Sequence, residues 1–152
     1  MAELKERLRA DLNAAMRARD RVRMRTLRMA LTSITTAEVA GASARDLSDE
    51  EVMTVLIREA RKRREAAEAF GAAGRAAQAA AERAEGDVLA HYLPTQLNDD
   101  ELGALVSAAI AETGATGMQG MGQVMKTLTP RVAGRADGAR VAAEVRRRLS
   151  AG

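Results

Sequence analysis

The chain has 152 residues, a formal net charge of +3 and 47% apolar residues, with Phe70 and Tyr92 as its aromatic side chains. It has no cysteine and a single histidine, His91. That excludes disulfides, thiolate nucleophiles and cysteine-bound zinc, and leaves little for a histidine metal site or a Ser-His-Asp triad. The stretch "MAELKERLRADL" is charged from its third residue and does not resemble a signal peptide. No apolar run approaches the roughly 20 residues of a membrane span, so a cytoplasmic protein without a membrane partner is expected.

A core with so few aromatics must be built from Leu, Val, Ile, Met and Ala, which favours closely packed helices. In "ELKERLRADLNAAMRARD", Leu4, Leu8, Leu12 and Ala15 share one side of a helix from about Glu3 to Arg19. The next segment aligns Met24, Leu27, Leu31 and Ile34 at bundle spacing. In "LSDEEV", Ser48 and Glu51 form a capping box that opens a third helix, with Val52, Leu56, Ala60, Ala67 and Phe70 on one stripe. Glu59 and Arg63 fall within about 20° of that stripe at ~100° per residue, and a solvated pair is expected there. An Ala-rich fourth helix follows Gly74 and should be lightly anchored, because alanine buries little. Pro94 closes it.

The segment "PTQLNDDEL" separates two subdomains, residues 1–93 and 94–152. The fold class expected is all-α: about four helices in a hairpin or bundle, then a three-helix bundle. Asn98 and Glu101 repeat the capping logic, and Leu102, Leu105, Val106, Ala109 and Ile110 form an apolar face that stops at Gly114. Thr116 and Gln119 have capping-box spacing ahead of Met118, Met121, Met125 and Leu128, and Pro130 should end that helix. Gly120 and Gly122 would admit a close neighbour. Gly134 suits a special backbone conformation, and Asp137 should cap a last helix carrying Val141, Val145 and Leu149.

Charge is segregated within this second part. Residues 95–114 carry four acidic and no basic residues, whereas 115–152 carry seven basic residues against Asp137 and Glu144. Lys126, Arg131, Arg135 and Arg140 flank the turn before the last helix. The free N–H groups of that helix start add partial positive charge, and a phosphate backbone fits the combination.

The same stretch carries a family resemblance. "TLRMAL", "LSDEEV", "YLPTQL" and "GATGMQGMGQVMKTLTPRVAGRADG" occur in the order of the stand-alone YqeY-like proteins, over about the whole chain. The GatB/YqeY resemblance implies an all-helical protein whose C-terminal part is similar to the tail of the B subunit of the glutamine-dependent aspartyl/glutamyl-tRNA amidotransferase. That tail contacts tRNA, while the chemistry sits in a separate domain. Carried over, Lys126 in "GQVMK" and Arg135 in "GRADG" are expected to touch RNA, with Arg131 and Arg140 beside them. "TLTPRVA" makes the link between the two motifs longer than in the amidotransferase tail, so a different loop shape is expected here.

The resemblance also brings a label of carbon–nitrogen ligase with glutamine as amido-N-donor. The sequence has no Gly-rich phosphate loop of the G-x-x-x-x-G-K-[ST] kind, and its carboxylates concentrate at helix starts, where capping explains them. No catalytic residue, cofactor or metal is expected. The first reading is an accessory module that binds tRNA or another structured RNA, with an amidotransferase or aminoacyl-tRNA synthetase complex as a further partner. Two alternatives stand beside it: a ligase-related activity, and a protein–protein adaptor that uses the basic runs "RARDRVRMRTLR" and "REARKRRE".

Overall fold

The computed structural model describes residues 2–151, and every regular element among them is helical. The chain forms two compact units, Met1–Leu93 and Pro94–Gly152.

The first unit holds α1 (Glu3–Ala18), α2 (Arg21–Glu38), α3 (Asp49–Ala72) and α4 (Ala76–Ala90). Arg19 makes the left-handed turn after α1 at φ 57°, and Asp20 then caps α2 by accepting from the Arg23 N–H at 3.2 Å. The Ser48–Glu51 capping box is present in both directions, at 3.2 and 2.9 Å. Gly74, at φ +76°, turns the chain between α3 and α4, a conformation that costs glycine little. The core joins Leu8, Leu27, Ile34, Val52, Leu56 and Leu89, with Tyr92 closing one side. The Tyr92 hydroxyl donates to Asp11 at 2.5 Å, and Arg7 lies over its ring. Burial, reinforced by that acidic partner, pushes the phenol up to about 12.

Two expectations fail in this unit. Glu59 and Arg63 are not a solvated pair: their side chains are only 8% and 18% exposed. Glu59 accepts hydrogen bonds from Ser33, Lys62 and Arg63, and Arg63 also reaches Glu82 and Glu85 on α4. Arg25 completes the chain by donating to Glu85 at 2.8 Å. The same network corrects the second expectation, that α4 is lightly held. Its alanines and Gly86 allow close approach to α3: a Cβ at Gly86 would lie 3.7 Å from that of Arg63. The buried Glu85 then ties α4 to both α2 and α3. A second buried pair, unmarked in the sequence pattern, links α1 to α2: Lys5 Nζ lies 2.8 Å from both Glu38 oxygens. The Lys5 ammonium holds the Glu38 carboxyl below its usual range.

The second unit holds α5 (Asp99–Thr113), a single 3-10 turn (Met118–Gly120), α6 (Met121–Val132) and α7 (Gly138–Ala151). Val106, Val124, Leu128, Val141 and Val145 form its core. Three local expectations change. Thr116 and Gln119 do not cap α6, which starts at Met121 after the 3-10 turn and has no side-chain cap; Met118 is left exposed. Pro130 does not end α6, which runs two residues further. Pro130 removes a single N–H close to the helix end, and burial of Val132 holds the last turn against that loss. Of the two glycines, only Gly120 is crowded: a Cβ there would sit 2.6 Å from that of Ala115, whereas Gly122 faces open space.

Candidate nucleic-acid interface

The site is built around two chain segments that lie 38 residues apart in sequence and meet in space. The connector between Pro94 and Asn98 runs beside the turn between α6 and α7. Gln96 Nε2 donates to the Gly134 carbonyl at 2.7 Å and to that of Pro94 at 2.9 Å. Leu97 N–H donates to the Arg135 carbonyl at 2.8 Å. Gly134 makes this possible at φ +72°, turning the chain so that Arg135 N–H closes back onto the Val132 carbonyl. The Asn98–Glu101 capping box then starts α5 on one side of the connector. On the other side, Asp137 directly precedes α7, and its carbonyl accepts from Val141 N–H.

Two of the four expected cations converge on this joint. Arg135 Nε points to the Thr95 carbonyl at 3.4 Å. Arg140, in the first turn of α7, donates to the Leu97 carbonyl at 2.9 Å and to Asp99 at 2.7 Å. Each guanidinium keeps further N–H groups beyond these bonds. The start of α7 lies in the same neighbourhood, with Asp137 directly before it.

The other two cations lie elsewhere. Arg131, in the last turn of α6, forms a two-pronged pair with Glu112 at 3.2 and 2.7 Å. The hydrogen bonds hold the Glu112 carboxyl below its usual range and raise Arg131 further. Lys126 is exposed on α6, about 200° around the helix from the buried Val124 and Leu128. The strong charge segregation along the sequence is therefore partly cancelled in space, because acidic residues at both ends of α5 reach Arg140 and Arg131. Such exposed pairs contribute little on their own and exchange readily for another anion.

Gln96 was not singled out by sequence reasoning, although it lies inside the quoted "YLPTQL" motif. Its role depends on a long-range contact that local spacing does not encode. Arg146, exposed on α7, is a further cation of this unit. Arg147 and Arg148 are both engaged by Glu144, whose carboxyl they hold at about 2; Arg148 also donates to Ser107.

These features define an all-helical protein whose second unit is a three-helix module with its inter-helix turn stapled to the incoming connector. A family model described as "Yqey-like protein" matches residues 5–149, and the chain belongs to that YqeY family. None of the curated proteins matches the chain.

Proposed function

We infer that the protein is an RNA-binding accessory module related to the tRNA amidotransferase, and that its second unit contacts the phosphate backbone. Membership of the YqeY family, with its likeness to the amidotransferase tail, supports the class. The observation that carries the contact is the convergence of Arg135 and Arg140 on the 95–99 connector, beside the first turn of α7. Both guanidinium groups are held by backbone carbonyls, so their positions are set before any ligand arrives. Lys126 adds an exposed, movable charge, and Arg131 can exchange Glu112 for a phosphate. Contacts of this type place a nucleic acid without reading its bases, which suits recognition of a tRNA or similar RNA by shape.

A gel-shift comparison of the full-length chain and its single variants on tRNA tests this reading. Arg135→Ala and Arg140→Ala should each weaken binding several-fold and equally for unrelated tRNA sequences. Lys126→Ala and Arg131→Ala should have smaller effects. Unchanged affinity in all four variants would remove the proposed interface.

A further inference from the structure

The first unit carries a groove that the RNA reading does not use. It has a volume of about 710 Å³ and is lined by α2 and α3. Arg21, Arg25 and Arg28 stand along one edge at helix positions i, i+4 and i+7, within about 60° of arc. Lys62 faces them from α3, and Met24 and Met29 supply an apolar lining.

The buried network fixes part of this cationic edge. Arg25 is held through Nε and Nη2 by the buried carboxylate of Glu85, both at 2.8 Å, yet its side chain is 61% exposed. Lys62 is held at 3.2 Å by the buried Glu59 and is 59% exposed. Arg25, Lys62 and Arg63 balance Glu59, Glu82 and Glu85 one for one. Arg21 and Arg28 have no carboxylate partner among the described residues, so the groove keeps two uncompensated positive charges. Desolvating two carboxylates to hold cations at a solvent-facing edge adds little to stability. It does pre-position hydrogen-bond donors toward the groove.

We propose that this groove binds a small phosphate-bearing molecule with a flat apolar body, such as a nucleoside diphosphate. The two unpaired arginines match a dianionic phosphate group, and the Nη1 side of Arg25, which Glu85 does not use, adds a donor to its oxygens. Methionine thioethers pack well against a ring face, and the groove volume lies within the usual range for small-molecule sites. Its lining residues all lie in the first unit, whereas Arg135 and Arg140 lie in the second.

Calorimetric titration of the full-length chain with ADP, pyrophosphate and adenosine, at fixed ionic strength, tests the proposal. ADP should bind saturably and at least tenfold more tightly than pyrophosphate, and adenosine alone should not saturate. The double substitution Arg21→Gln/Arg28→Gln removes exposed, unpaired charges and should leave the melting temperature unchanged while weakening ADP at least tenfold. Arg135→Ala should leave ADP binding intact, which separates this site from the RNA interface. Absence of saturable ADP binding, equal binding of ADP and pyrophosphate, or ADP affinity unaffected by the double substitution would each overturn the proposal. A 5′-phosphorylated dinucleotide serves as a further arm: if it binds more tightly than ADP, the phosphate belongs to an RNA end, and the assignment to a free nucleotide fails.

Discussion

At the scale of single residues, two neighbouring glycines make opposite demands. Gly120→Ala drives a methyl group into Ala115, with Cβ atoms 2.6 Å apart and backbone close behind. Overpacking of this kind costs about 1–3 kcal/mol, and a urea melt should show the loss. Gly122→Ala meets nothing within 4 Å and lies in α6, so it should stabilise by about 0.5 kcal/mol in the same assay. Two carboxyls give the fold an acid-sensitive window. Arg45 and the Ser48 N–H hold Glu51 at about 2, as Arg147 and Arg148 hold Glu144. Both folded values lie below the ordinary value of 4.5, so the unfolded chain binds more protons between these limits. Their stabilisation is fully present above pH 4.5 and is lost as pH falls toward 2. Glu51→Gln should therefore flatten the denaturation midpoint against pH within that window. Both capping boxes at Ser48 and Asn98 were legible in the sequence, because a cap joins groups three residues apart. The Gln96–Gly134 bond was not, because nothing near Gln96 marks a carbonyl 38 residues away.

Among the helices, the buried network is the feature that periodicity read incorrectly. Glu59 lies on the apolar stripe, and a charged residue there is expected to mark where burial ends. The stripe instead continues as paired charges, because Ser33, Arg25 and Glu85 supply partners from α2 and α4. Glu59→Ala removes the acceptor shared by Ser33, Lys62 and Arg63 while Arg63 keeps Glu82 and Glu85, so it should lower the unfolding free energy by about 1–3 kcal/mol. Removing the exposed Arg131 should leave the same melt nearly unchanged. In α6, Pro130 lacks the N–H that would reach the Lys126 carbonyl, and its ring crowds that carbonyl. Pro130→Ala restores the bond but frees the unfolded chain, an offset of about 0.4–1 kcal/mol. The helix term is larger, up to about 3 kcal/mol in a helix interior and smaller near an end, so a net gain of about 1 kcal/mol is expected. Core faces of the helices were otherwise readable from apolar spacing: Leu8, Leu27, Ile34, Leu56, Val141, Val145 and Leu149 are buried as their periodicity requires, whereas Leu4, Leu12, Met24 and Phe70 on the same stripes are only partly so.

For the molecule as a whole, composition identified the helical class because a chain rich in alanine and poor in aromatics has few other ways to make a core. It did not reveal how the charge of the second unit would be distributed. A run of acids followed by a run of bases suggests a basic surface, but Asp99 and Glu112 are carried to Arg140 and Arg131 by the packing of α5 against α6 and α7. On the proposed RNA reading, the contact narrows to a smaller focus at the 95–99 connector, supplemented by Lys126. The most direct measurement is the salt dependence of tRNA affinity for the full-length chain, compared with the double variant Arg135→Gln/Arg140→Gln. Each phosphate contact releases counterions, so the slope of log K against log salt should become shallower by about 0.7–0.9 per cation removed, roughly 1.5 in all. An identical slope in the two proteins, or binding that ignores salt, would contradict a phosphate grip at this joint.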